Sequence, residues 1–261
     1  MAYLCACLMG NGGEIDPGSA GSQLLLKDAE RKLEEGDHSE CIRLLQEIIE
    51  MDGANADAEY LLGHVLYVIQ GKPGDAEGHL QKALALNSNH QKALSTLGFL
   101  TSEKGQFEES ASYLERATEL DAQDAAAWAF LGAVYKASGK QQNAVDAYLR
   151  AVQLNPHSAS AFYNLANIYH DLRDSEKSFR SYEKVVEINP GHADAWYNIG
   201  VIHHENENLE KAMECYEKAL EINPELAEAR KNGMILRNYL RSKKKSKKSK
   251  SLWGKKKGKS K

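Results

Sequence analysis

A period of 34 residues runs through the chain. Pro156, Pro190 and Pro224 are spaced by it, and so are Tyr148, Tyr182 and Tyr216. Trp128 and Trp196 stand two periods apart with Phe162 midway between them. A fixed period of this length marks an array in which one supersecondary unit stacks on copies of itself, because no single unit can bury its apolar face alone. Ala, Leu, Glu and Lys dominate and only five prolines occur. These side chains lose little rotamer freedom in a helix, so the unit is predicted to be two helices and a turn, and the fold class all-α.

The most regular unit begins at Ala125 and carries Trp128, Leu131, Gly132, Tyr135, Ala144, Tyr148, Ala151 and Pro156. It resembles the tetratricopeptide-repeat (TPR) family, whose signature is W-x2-L-G-x2-Y, then A-x3-F, then A, then P. The resemblance covers residues 22–226 and is strongest over 125–226. Residues 91–124 keep Leu97, Gly98 and Ala117. Residues 56–90 keep Leu62, Gly63, Ala76 and Ala83, with one extra residue in the Gly71-Lys72-Pro73-Gly74 turn. Residues 22–55 match least, as expected of an end repeat with solvent on one side. The resemblance implies a right-handed α-solenoid of six hairpins, at 22–55, 56–90, 91–124, 125–158, 159–192 and 193–226. A capping helix is expected over 227–240, a flexible segment over 1–21 and a disordered polybasic tail over 241–261. The signature has a packing logic. Where two helices cross closely, one presents a small residue: Ala29, Gly63, Gly98, Gly132, Ala166 and Gly200 in the first helices, and Cys41, Ala76, Ser110, Ala144, Ser178 and Ala212 in the second. Large residues such as Trp128 and Tyr148 are expected to fill the space between hairpins, and the prolines to stop the second helices.

The net charge of -4 conceals an asymmetry. Residues 241–261 hold 12 of the 33 basic residues and no acidic one, leaving 21 basic against 37 acidic residues in the rest. Two surfaces with different partners are expected. Nothing approaches 18 consecutive apolar residues, so no membrane span is predicted. Cys5, Cys7, Cys41 and Cys215 have no spacing of a disulfide framework or zinc site, which favours a reducing compartment. The apolar start, Met1 to Met9, lacks the basic n-region of a signal peptide. Lipidation at Cys5 or Cys7 is a minor alternative.

In the family, the first helix of each hairpin lines a concave groove. Asn164, Asn198 and Asn232 stand one repeat apart on those helices. An Asn amide both donates and accepts, so a column of them can pair with the main chain of an extended peptide without reading its side chains. The candidate groove comprises Tyr163, Asn164, Asn167, His170, Tyr197, Asn198, His204, Lys231 and Asn232. The plain alternative is that asparagine is common at these places and serves solubility. His170 and His204 lie one hairpin apart, too far to share a zinc ion; no metal, cofactor or catalytic constellation is expected, and no Gly-rich phosphate loop or G-x-S-x-G elbow occurs. The family's carboxylate clamp, built from Lys, Arg and Asn, is expected to be absent, since its places hold Lys27, Tyr60, Ser95, Ala129 and Ala133.

The tail offers Lys243, Lys244, Lys245, Lys247, Lys248, Lys250, Lys255, Lys256 and Lys257 as an anion-binding run. Its chemistry suits RNA or DNA, anionic lipid, an importin, the acidic body itself, or simple solubility. The function read from the sequence is a protein-interaction adaptor or assembly scaffold that holds extended peptide segments. The alternative is a factor associated with nucleic acid or anionic membrane that acts mainly through its tail. Self-association is left open. A cytoplasmic location is expected, or a nuclear one through KKKSKKSK if the organism is eukaryotic.

Overall fold

The computed structural model describes the backbone of residues 17–257 and the side chains of residues 21–245. Among them are thirteen α-helices and no strand. They are α1 (Pro17–Glu34), α2 (His38–Met51), α3 (Ala56–Val68), α4 (Pro73–Leu86), α5 (Gln91–Glu103), α6 (Phe107–Leu120), α7 (Ala125–Ala137), α8 (Gln141–Leu154), α9 (Ala159–Asp171), α10 (Ser175–Ile188), α11 (Ala193–Glu205), α12 (Leu209–Ile222) and α13 (Ala227–Lys257). No helix among the described residues is long and apolar enough to cross a membrane. The helices fall into two compact units, α1–α6 and α7–α13. Odd-numbered helices α1 to α11 each pair with the helix that follows, and within each unit the second helix of a hairpin packs on the first helix of the next. The fold is an all-α solenoid, three hairpins to a unit, with α13 packed on α12.

Local chemistry sets the helix ends. Asn55, Asp124 and Ser158 cap α3, α7 and α9 by accepting from backbone N–H groups of the first turn, and His90 and His192 do the same for α5 and α11 through Nδ1. Five of the second helices end at an Asx turn. The side-chain oxygens of Asp52, Asn87, Asn155, Asn189 and Asn223 each accept from the N–H two residues on, at 3.1–3.2 Å. The expectation that proline stops these helices is therefore corrected in part. α2 and α4 end in the same way with no proline after them, and Pro156, Pro190 and Pro224 follow a helix the asparagine has already closed.

The small-residue crossing is present in every described hairpin. Ala29, Cys41, Ala76, Ser110, Ala144, Ala166, Ser178 and Ala212 are fully buried. A methyl group on Gly132 would lie 2.8 Å from the Tyr148 ring. Where the second helix offers serine, its hydroxyl also donates across the crossing, from Ser110 to the Gly98 carbonyl and from Ser178 to the Ala166 carbonyl. Tyr148 lies against Gly132 of its own hairpin.

Two boundaries differ from expectation. Residues 17–21, read as flexible, belong to α1, where Pro17 occupies a first-turn place that needs no N–H. Residues 241–257, read as disordered, continue α13 without a break at 240. Lys and Arg are good helix formers, and extending an existing helix adds a backbone hydrogen bond per residue without a new nucleus. Cys5, Cys7 and the chain's last four residues lie outside the described residues.

Candidate functional site

The proposed groove lies wholly within the second unit, on α9, α11 and α13. Tyr163, Asn164, Asn167 and His170 share one side of α9 by helical spacing, and Tyr197, Asn198 and His204 occupy the same places on α11. All seven are half-buried, as is Asn232 on α13, while Lys231 is exposed.

The asparagines are not independent of the tyrosines. Asn232 Nδ2 donates to the Tyr197 hydroxyl at 3.2 Å. Asn167 and Asn198 face the Tyr163 hydroxyl and hold its pKa down against the opposing effect of burial. Tyr197 on α11 therefore meets the asparagine 35 residues on, which belongs to the next helix of the row, α13. In the first unit the place facing Tyr60 is Thr96, once the extra residue near Gly71 is counted; Thr96 holds the Tyr60 pKa down against burial, and its own hydroxyl donates to the Lys92 carbonyl at 2.8 Å. Asn164 lacks this partner, because the place one repeat before Tyr163 is Ala129. Among the described residues no hydrogen bond engages the Asn164 side chain.

The tyrosines are fixed from behind. Tyr163 packs on the His192 ring at 4.7 Å and edge-on against Tyr182 at 5.7 Å. Tyr182, fully buried, donates its hydroxyl to Asn167 Oδ1 at 2.5 Å. Tyr197 packs on Tyr216 at 5.8 Å, and the Tyr216 hydroxyl lies 3.4 Å from His204 Nδ1. Burial raises the pKa of Tyr163, Tyr182 and Tyr197 and pushes Tyr216 up to about 12, so all four remain neutral hydroxyls near neutral pH. His203, the neighbour of His204, packs edge-on against Phe179 at 5.2 Å, and burial lowers its pKa.

Chemically, this is a row of neutral amides and phenols on rigid helices. Each Asn amide has two donors and a carbonyl acceptor, so one bond to tyrosine leaves capacity for a main-chain partner. Asn167 has less to offer, because its carbonyl oxygen already takes the Tyr182 proton. His192 and the Tyr–Asn pairing were not legible in the sequence as site features; the signal was a tyrosine recurring one place before the asparagines, as in Tyr163-Asn164 and Tyr197-Asn198. In the tail, Lys243, Lys244 and Lys245 are exposed. The side chains of Lys247, Lys248, Lys250, Lys255, Lys256 and Lys257 lie outside the described residues, although α13 carries their backbone.

Comparisons with known proteins bear on the whole array. No relative among curated proteins matches the sequence significantly. Among solved structures, the chain is similar to YrrB, described as a TPR protein with an unusual peptide-binding site. The two are 26% identical, with 71% of this chain and 95% of YrrB covered, at a TM-score of 0.65. It is similar to MamA at 28% identity, with 64% and 96% covered and a TM-score of 0.60. PilF of Pseudomonas aeruginosa, 19% identical, shares the fold over 83% of this chain and 98% of its own, with a TM-score of 0.70. Tetratricopeptide-repeat family models match residues 159–192 and 193–226, and the model of the cilia and flagella-associated protein 70 middle TPR-like domain matches residues 29–155. With six hairpins built around the same small-residue crossing, and models of the repeat matching from residue 29 to residue 226, this chain belongs to the tetratricopeptide-repeat family.

Proposed function

We propose that this protein is an interaction scaffold, not an enzyme, and that it holds an extended segment of a partner protein against α9, α11 and α13. The TPR fold supports protein binding in general. The observation that carries the finer reading is the hydrogen bond from Asn232 to Tyr197, a relation that Asn198 repeats toward Tyr163 by the same spacing of 35. Such a bond holds the amide in place before a ligand arrives, so little side-chain freedom is lost on binding. Asn164, with no such bond, supplies the rung with most free capacity. A main-chain amide entering a concave face loses water, and each one left unpaired costs about 1–3 kcal/mol. Amides at the solenoid spacing offset that loss for many peptide sequences, which fits an adaptor with several clients. The similarity to YrrB, with its own peptide-binding site, points the same way.

The test is capture of native partners by the full chain carrying N164A, N198A and N232A together, beside Y163F and Y197F. The triple variant is expected to lose capture with its helical content intact. The Phe variants remove only the hydroxyls that hold the rungs and should weaken capture partially. Undiminished capture by the triple variant would make the asparagines mere partners of tyrosine and would place the client elsewhere.

A further inference from the structure

In the second unit, each first helix has a small residue at its eighth place, Gly132, Ala166 or Gly200, because its own second helix crosses there. The same place on α13 is Met234, which no second helix covers, and its side chain is 62% exposed. Ile235 and Tyr239 beside it are 52% and 51% exposed. The end of a repeat array ordinarily turns a polar face to water, so three large apolar side chains here depart from the rule. The other side of α13 is already occupied, with Ala229, Gly233 and Leu236 buried, and Gly233 lying against Tyr216.

Charge accumulates along the same helix. No acidic residue follows Glu228 in the sequence, and Arg237, Arg241, Lys243, Lys244 and Lys245 are exposed. Of these, Arg237 pairs with Glu217 at 2.8 Å and Lys243 lies 5.7 Å from the centre of the Tyr239 ring. Because α13 runs unbroken to Lys257, Leu252 and Trp253 come 18 residues after Met234 and Ile235. At 3.6 residues per turn that is about five whole turns, so the two pairs share register positions around the axis.

We propose that the outward face of α13 docks the chain on an anionic lipid surface. Met234, Ile235 and Tyr239 enter the boundary between headgroups and acyl chains, and the flanking cations meet acidic headgroups. A nucleic acid would use the cations but leave Met234 and Ile235 in water. A stacked protein hairpin would cover Met234 but would not use cations spread around the helix. A lipid surface uses both, and tyrosine and tryptophan favour that interface.

The experiment is flotation of the full chain with phosphatidylcholine vesicles, with and without phosphatidylserine. Binding is expected only with phosphatidylserine, and it should weaken as salt rises. The variant M234S/I235S/Y239S keeps every cation, and it should bind those vesicles roughly tenfold more weakly or worse while its retention on an RNA homopolymer is unchanged. A second variant, Y239W, places a reporter on the face, and brominated lipid should quench it even if the triple variant fails to fold. Failure of the full chain to bind phosphatidylserine vesicles would overturn the proposal, as would equal binding by the triple variant or an unquenched reporter.

Discussion

Arg173 and Glu207 occupy, in the fifth and sixth hairpins, the turn position that Gly36, Gly71, Gly105 and Gly139 hold in the first four. At φ of 62° and 58° they lie in the left-handed region. The closing bond is the same in all of these hairpins except the second, where the extra residue makes it one longer, from Lys72 N–H to the Leu66 carbonyl at 2.9 Å. Asp174 N–H reaches the Tyr169 carbonyl at 2.9 Å as Lys140 N–H reaches that of Tyr135 at 2.8 Å, closing the first helix by a bond back over its last turn. A side chain in this conformation costs about 1–2 kcal/mol, and glycine gives back part of that through its freer unfolded state. The double change R173G/E207G should therefore raise stability by roughly 1 kcal/mol and raise Tm. An unchanged or lower Tm in a urea or thermal melt would show that the side chains contribute contacts that offset the strain. Glycine at Gly71 was legible as part of a turn. The strained pair was not, because Arg and Glu carry no sign of a positive φ. The tyrosine–asparagine bond was hidden for a similar reason: a spacing of 35 means contact only once the offset between stacked hairpins is known. Glu59 is a third case. It stands at the place of Trp128 and Trp196, is buried, and meets His79 at 2.6 Å and Lys82 at 3.8 Å. Lys82 is the counterpart of Lys218, which lies over the Trp196 ring at 4.2 Å, so an ion pair stands in for a cation–π contact.

At the scale of the helix, the period announced where elements begin, and the small residues announced where they cross. Proline marks the ends of three second helices but does not account for the others. Proline is conspicuous because it forbids continuation, whereas asparagine terminates by an option it offers the backbone, the local bond to the N–H two residues on. Asn155 shows which residue acts. Its Oδ1 accepts from His157 N–H at 3.1 Å, and its own N–H bonds the Ala151 carbonyl at 2.8 Å. N155A should cost about 0.5–1.5 kcal/mol, the net worth of one such bond. P156A should cost no more than about 0.4–1 kcal/mol, acting through the unfolded chain. Urea melts of the two variants rank them, and a larger loss from P156A would restore proline as the terminator. The same competition between signals misread α13. The charge run after Arg241 suggests disorder, yet lysine's helix propensity and the absence of proline allow the helix begun at Ala227 to continue.

Across the whole molecule, the repeat count was legible but the division into two units was not. The 34-residue step from Gln91 to Ala125 passes the boundary at Ala122 and Gln123 without a change, so no composition shift marks it. What the period does carry is an order of stability. In an array of this kind each hairpin is held by its own packing and by that of its neighbours, and an end hairpin has one neighbour fewer. Among the described residues α2 packs on α3, and α1 and α2 expose Leu24 and Met51 to water. At the other end α13 covers α12, burying Ala229 and Leu236, so the sixth hairpin is not a bare end. The second unit also buries Tyr148, Tyr182 and Tyr216 almost completely, and Tyr182 is hydrogen-bonded inside it. Hydrogen exchange on the full chain should therefore show the amides of α1 and α2 opening first, by local opening, and those of α9 to α12 last, near the limit of global unfolding. The measurement separates this from a uniform array, in which repeat position alone decides and both ends open at equal rates. If α9 to α12 exchanged before α2, neighbour packing would not govern the order, and the buried tyrosines would not act as the anchor of their unit.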